Sequence, residues 1–328
     1  MGIESGAGAI LRAMCTRVFW NDNGVAMVVA RTLDWETSDE PRLWAIPRGT
    51  ERSGIAGEGS ATWTSRYGSL TMQGWGTVTS EGMNEAGLSA RVLYLEASAW
   101  EQPDGRPAVA NLVWAQYAVD NFATVEEALA GLAEIRVVSM PMRGAHLGCH
   151  LMLEDTSGDS ALVEMLDGVP IVHHGREFDV VTNDPPYDEQ VAGLSRYKPW
   201  GGELGIPGDI ASEERFVRAT YYLSHLPRPA GEAEAVAGVF GVIRNCQVPY
   251  GAPDTQFDTF PTWWASVTDL TDRVYYFQST RAPNVVWAEL DELDFAPGAP
   301  ALAIDPRDPA LSGSMLGAFA PAELDWGV

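Results

Sequence analysis

The stretch Met14-Cys15-Thr16-Arg17-Val18-Phe19-Trp20, the turn-rich Asn21-Asp22-Asn23-Gly24 and the run ending Arg31-Thr32-Leu33-Asp34-Trp35 decide how the rest of the chain is read. Apolar runs flank an Asn-Gly pair, and Asn-Gly accepts the positive φ angles that a type I′ hairpin turn demands. With Asn23-Gly24 as a two-residue loop, paired residue numbers sum to 47, which sets Cys15 opposite Thr32. A one-residue error in the loop leaves Cys15 next to Ala30 or Arg31. The head of one strand then carries a thiol that faces a cation, Arg31, and a carboxylate, Asp34. These two lie three apart, so a regular strand sends them to opposite faces. Both reach Cys15 only where the strand bends or ends near Leu33.

The chain has 328 residues, 46% of them apolar, enough for a sizeable core. No apolar run approaches the ~20 residues of a membrane span. Residues 1–14 do not read as a signal peptide, with Glu4 early, Arg12 the lone basic residue and a short apolar piece at 7–11. They are expected to be either a leader removed to expose Cys15 or an over-long gene start with translation beginning at Met14. Both end at the same mature residue. The cytoplasm is the favoured compartment, with the periplasm open. Acidic residues outnumber basic ones 45 to 21, a formal charge of −24, which repels nucleic acid and anionic membranes and sets both aside as partners. Cys15, Cys149 and Cys246 are too few and too scattered for a disulfide framework or a Cys-rich zinc site.

Beyond the hairpin, strands are expected over 43–47, 61–65, 70–72 and 76–80, a turn over 81–88, and a strand over 89–95. Val109, Leu112, Val113 and Tyr117 recur at helical spacing, and Thr124 to Glu127 has capping-box spacing before a second helix. Strands return at 146–153, 160–165, 169–173 and 179–183, helices at 187–194, after Ser212 and at 233–243, then strands at 263–267, 273–278 and 285–288. The tail from about 296, rich in Pro, Ala and Gly, reads as irregular. Strands cluster in hairpins, which fits two strand layers flanked by helices better than a parallel doubly wound sheet.

No Gly-x-Ser-x-Gly elbow, P-loop or dinucleotide fingerprint is present. His146, Cys149 and His150, with His173 and His174, are candidates for a metal site. On one strand, however, His150 shares a face with His146 and opposes Cys149, so buried or interface histidines are the expected reading. Cys149 and Cys246 read as small core residues. Cys15 differs. An ordinary thiol, with a pKa of ~8.5, is mostly protonated at neutral pH. With residues 1–14 gone, its own α-amine, of pKa about 7.7–8.0, serves as a base without any histidine. Asp34 would orient that amine and Arg31 would favour the thiolate. The local residues support this reading and a strand-start cysteine beside an unrelated ion pair about equally.

Cys15-Thr-Arg followed by Arg31-Thr-Leu-Asp34-Trp35 resembles the start of the choloylglycine hydrolase family, which includes penicillin V acylases and bile salt hydrolases. Four further blocks agree in order: Gly82 to Leu88, Val181-Thr-Asn-Asp-Pro-Pro-Tyr187, Gly205-Ile-Pro-Gly-Asp209 leading to Arg215-Phe216, and Val248-Pro-Tyr-Gly251. The resemblance covers Cys15 to about Leu290. It implies an α+β fold, the four-layer αββα sandwich of N-terminal-nucleophile hydrolases, in one catalytic domain over 15–328 that hydrolyses linear amide C–N bonds. Carried over by motif, Cys15 matches the nucleophile, Asp34 the partner of its α-amine and Arg31 the neighbouring cation. Asn183 matches the side-chain oxyanion donor and Arg215 the arginine close to the nucleophile. Tyr94 falls where the second oxyanion donor, a backbone N–H, belongs. No metal or organic cofactor comes with this resemblance, and a homo-oligomer, up to a tetramer, does.

Aromatic side chains are expected to hold the substrate: Trp20, Trp35, Tyr94 and the pair Trp263-Trp264, although most of the twelve tryptophans belong to the core. Bile salt hydrolases usually carry asparagine at the Tyr94 position, and the interval from Asn183 to Arg215 leaves little room for their long assembly hairpin. The pattern is closer to the Gram-negative-type acylases, which the resemblance associates with penicillin V and N-acyl homoserine lactones. The acidic surface favours a neutral substrate such as the lactones.

Overall fold

The opening hairpin forms, with a register one residue away from the simplest reading. In the computed structural model, which describes residues 14–142, 144–251 and 260–324, strand β1 (Met14–Trp20) pairs antiparallel with β2 (Val28–Asp34), and Cys15 stands opposite Leu33, not Thr32. Residues 21–27 form the connection, longer than a two-residue turn. Asn23 builds it: its Oδ1 accepts from Val25 N and Ala26 N, while its Nδ2 donates to the Trp20 and Ala26 carbonyls. Gly24 supplies the positive φ of 77°. The expected leader lies, apart from Met14, outside the described residues.

The chain continues through β3 (Arg42–Ile46), β4 (Glu51–Ser53), β5 (Thr62–Thr64), β6 (Ser69–Gly74), β7 (Val78–Asn84), β8 (Ser89–Tyr94) and β9 (Ala108–Ala110). Helices α1 (Trp114–Asn121) and α2 (Val125–Leu132) follow, the second capped by Thr124, whose hydroxyl accepts from Glu127 N. Next come β10 (Arg136–Val138), β11 (Pro141–Met142), β12 (Ala145–His146), β13 (Cys149–Glu154), β14 (Ser160–Leu166), β15 (Val169–His174) and β16 (Val180–Val181). Helices α3 (Tyr187–Gly193), α4 (Ser212–Ser224) and α5 (Glu232–Cys246) precede β17 (Thr262–Asp269), β18 (Val274–Ser279) and β19 (Val286–Glu289). The last strands are β20 (Leu302–Ile304), β21 (Gly313–Ser314) and β22 (Ala320–Pro321).

Two large sheets carry the molecule. The first has seven strands in the order β16-β1-β2-β17-β18-β19-β21, the second nine in the order β15-β14-β13-β8-β7-β6-β3-β20-β22. Alternation assigns the faces. Val18, Trp20, Val28 and Ala30 pack with Phe216 and Ala219 of α4 and Val239 and Ile243 of α5. Phe19, Val29 and Leu33, on the opposite face, join the core of the second sheet, whose far side is covered by Trp114, Ala118 and Val125 of α1 and α2. The architecture is a four-layer αββα sandwich of the α+β class.

Several expected elements differ. Val109 lies in β9, Leu112 and Val113 form a 3-10 turn, and the α-helix proper starts at Trp114. The turn over 81–88 is shorter, because β7 runs on to Asn84. The strand over 146–153 is broken at residues 147 and 148, and that over 179–183 shrinks to β16. The tail is not simply irregular: β20 adds to the second sheet beside β3, and β21 pairs with β19.

Candidate active site

The register decides which groups meet the thiol. Because Cys15 pairs with Leu33, residues 15, 31 and 33 share the face that looks at the second sheet, whereas Thr16, Thr32 and Asp34 look towards α4. Strand β2 neither bends nor ends before Asp34, so Arg31 and Asp34 serve the site from opposite sides of one backbone. Arg31 Nη2 lies 3.2 Å from Cys15 Sγ. Asp34 reaches the sulfur through its backbone N–H, while its carboxylate accepts from Thr262 Oγ1 (2.6 Å) and Thr32 Oγ1 (3.3 Å) and lies 4.0 Å from Arg215 Nη1. A bulge in β17 makes this possible. Thr262 pairs with Asp34 and Trp264 with Leu33, so Trp263 is the extra residue.

Arg215 does not contact the sulfur. It rises from α4 behind the Cys15 backbone, donating to the Cys15 carbonyl, to Thr16 Oγ1 (2.6 Å), to Asn183 Oδ1 (2.9 Å) and to the Ile210 carbonyl (2.8 Å). Asn183 Oδ1 also accepts the Cys15 N–H at 2.6 Å, and its Nδ2 donates to the Tyr94 carbonyl at 2.7 Å. Asn183 thus ties Cys15 to the end of β8. Its own segment is pinned by Ser212 Oγ on its N–H (2.9 Å), Gln190 Nε2 on its carbonyl and His150 Nε2 on the Thr182 carbonyl (3.0 Å). Asp184 adds a clasp by accepting the N–H groups of Glu96 and Ala97. At the Tyr94 position, Leu95 N–H donates to the Gly148 carbonyl, so Tyr94 and Cys149 form the non-hydrogen-bonded pair and the Tyr94 N–H faces away from β13.

Burial raises the Cys15 pKa, opposed by Arg31, by the Asp34 N–H and by Arg215. Cys149 and Cys246 are pushed up to about 12 and about 11 by burial, and among the described residues neither has an arginine hydrogen-bonded to its sulfur. Burial also pushes Asp34 up to about 6 against the pull of Arg215 and the two threonine hydroxyls.

Cys15 opens on a cleft of about 510 Å³, its mouth included, lined by Leu33, Trp35, Trp75, Val78, Val92, Leu93, Tyr94, Leu112, Met142 and Leu147. The indoles of Trp35 and Trp75 meet edge-on at 4.9 Å, and Tyr94 stands edge-on to Trp35 at 6.5 Å. Of the expected aromatic residues, Trp35 and Tyr94 therefore line it. Trp20 is packed under α5, near Gly238. Trp264 is fully buried beneath the Arg31 guanidinium, 5.0 Å away. Trp263 turns to a neighbouring cleft with Tyr250 and donates to the Trp35 carbonyl. Trp75, Leu112, Met142 and Leu147 come from loops and short elements far apart in sequence, and no spacing pattern links them to Cys15. The histidines form no single cluster, although His150 and His173 meet opposite oxygens of Glu164. His146 meets Ser139, His150 is buried between Glu164 and Thr182, His173 faces Glu164, and His174 pairs with Asp159. Among the described residues no group of three or more His, Cys, Asp or Glu is arranged to hold a metal ion, and no helix is long and apolar enough to cross a membrane.

Comparison with known proteins agrees with this geometry. Residues 15–309 match the family described as linear amide C–N hydrolases, choloylglycine hydrolase family. A penicillin V acylase of Pectobacterium atrosepticum is 35% identical, the match covering 96% of this chain and 92% of the relative. A bile salt hydrolase/transferase of Bifidobacterium longum is 27% identical over 83% of this chain and 94% of its own length. The solved structure of penicillin V acylase from Agrobacterium tumefaciens superposes with a TM-score of 0.86 at 38% identity, covering 96% of this chain and 99% of that one. With a sandwich of the N-terminal-nucleophile type and a match over nearly its whole length, the chain belongs to the choloylglycine hydrolase family and is an amidohydrolase of linear C–N bonds, closer to the penicillin V acylases than to the bile salt hydrolases.

Proposed function

We propose that this amidohydrolase cleaves an N-acyl or aryloxyacyl amide, of the penicillin V or N-acyl homoserine lactone type, through a thioester on Cys15, and that the active form is the single domain left after residues 1–14 are removed. One observation carries the reading: the Cys15 sulfur sits where an arginine meets an aromatic, apolar cleft. Met14 stands directly opposite Asp34, and the Cys15 nitrogen that its departure would free is held by Asn183 Oδ1 at 2.6 Å. The amine takes the thiol proton and sulfur attacks the amide carbonyl. Charge developing on the oxygen is met by the Tyr94 N–H and by the second N–H of Asn183, the first being held by the Tyr94 carbonyl. The C–N bond breaks, the leaving amine departs with the proton, and water cleaves the thioester using the same base. Losing one oxyanion donor typically costs about 10²–10³ in kcat. The apolar cleft takes the acyl group, and a homo-oligomer is part of this reading.

Intact mass of the active preparation is expected to begin at Cys15, and Cys15→Ala to abolish turnover with unchanged circular dichroism. Full activity in that variant, or in a preparation whose mass begins at Met1, sinks the mechanism. A panel of penicillin V, acyl homoserine lactones and glycine-conjugated bile salts tests the substrate: preference for the bile salts would replace the acylase assignment.

A further inference from the structure

The Arg31 guanidinium that meets the sulfur is the last member of a buried file of charges between the two sheets. Arg17 of β1 donates through Nε to Glu154 of β13 at 2.7 Å, and the other Glu154 oxygen accepts from Arg91 of β8. Arg91 Nε lies 3.8 Å from Glu81 of β7, and Glu81 lies 3.7 Å from Arg31 Nε. All five side chains are at most 1% exposed. Glu81 Oε1 accepts from the Tyr275 hydroxyl of β18, whereas Oε2 makes no hydrogen bond among the described residues and stands between the two arginines. Charges alternate along the file, and three arginines face two glutamates.

We infer that Glu81 is a positioning residue that divides its charge between Arg31 and Arg91, holds Arg31 against Cys15, and sets how much positive charge reaches the sulfur. Asp179 faces Arg17 at the far end of the file, and at the near end Arg31 is shared between Glu81 and Cys15. Removing Glu81 leaves more positive charge at the thiol. Removing the Tyr275 hydroxyl returns negative charge to Glu81 and does the opposite. Other groups face this region. Asp39 is buried, accepts from Trp264 Nε1 and is pushed up to about 7 by burial. Asp34 and Arg215 lie across the β1–β2 backbone. Neither substitution touches them.

The inference rests on Cys15 as nucleophile, and its test does not require turnover. Alkylation of Cys15 by iodoacetamide, located by peptide mass, is followed against pH in the wild type, Glu81→Gln, Glu81→Asp and Tyr275→Phe. The midpoint is expected to fall by about one pH unit in Glu81→Gln, to return towards the wild type in Glu81→Asp and to rise in Tyr275→Phe. With hydrolysis measured alongside, Glu81→Gln should lose more than tenfold in kcat with little change in KM. Midpoints that stay within about 0.3 units of the wild type in the folded variants, or that move in one direction in both Glu81→Gln and Tyr275→Phe, overturn the inference. Should Glu81→Gln fail to fold, the sign of the Tyr275→Phe shift decides alone. Loss of turnover in Cys15→Ala bears only on the nucleophile assignment.

Discussion

Arg215 sits behind Cys15, on the same side of the sheet as Asp34, and so supports the strand while Arg31 supports the sulfur. Asp34 is the titratable group of this rear side. Burial lifts it from an ordinary 3.8 to about 6, so below that pH it takes a proton and Arg215 loses its counter-charge. Below the limb set by the α-amine itself, hydrolysis is expected to fall further as pH drops through about 6, and Asp34→Asn should remove that lower limb together with most of the activity; a kcat/KM profile against pH checks both. The sign for stability is opposite. The folded chain keeps a proton that the unfolded chain has released, so the group's contribution declines as pH rises from about 4 to about 6. The difference in Tm between wild type and Asp34→Asn, followed over that range, should show it. The motif residues Cys15, Arg31, Asp34, Asn183 and Arg215 were legible in the sequence. Glu81 was not, because it borders one of the recognised blocks with nothing local to mark a partner on β2.

At the level of elements, one residue of register mattered most. Asn-Gly read as a two-residue loop sets Cys15 against Thr32, whereas the side-chain bonds of Asn23 build a longer loop and set it against Leu33. That slip exchanges faces, and it explains how Arg31 and Asp34 both serve Cys15 without a bend. The bulge at Trp263 lies equally beyond local reading, since it shows only once β17 is laid beside β2. The join of β8 to β13 is the tightest point near the site. A Cβ on Gly148 would stand 2.0 Å from the Leu95 carbonyl, on backbone that cannot swing aside. Gly148→Ala should force the strands apart at Tyr94, lower kcat at least tenfold and lower the Tm by several degrees, as measured by kinetics and calorimetry. A Gly148→Ala variant with unchanged kcat would remove the end of β8 from the proposed oxyanion site.

Across the whole molecule, the clustering of strands in hairpins made two strand layers flanked by helices legible and the family resemblance implied the four-layer sandwich, while the tail was not legible, because β20 and β21 are too short to show a period. The two sheets meet over apolar side chains and over buried arginines and glutamates, and the remaining charge is strongly one-sided. A net formal charge of −24 repels itself, and salt screens that repulsion within about 10 Å at 0.1 M. The Tm is therefore expected to rise as sodium chloride goes from 10 to roughly 150 mM, a trend that differential scanning fluorimetry would show; a Tm that falls instead would mean that surface ion pairs outweigh the excess.

Strand β1 begins one residue before Cys15, with Met14 already paired to Asp34. The arginine, the aromatic cleft and the Asn183 clasp are thus in place while the Cys15 nitrogen is still an amide. On the mechanism proposed above, and where residues 1–14 are synthesised, folding and arming become separate events: the architecture precedes the cut, and the loss of one peptide bond would turn a finished cleft into a catalyst.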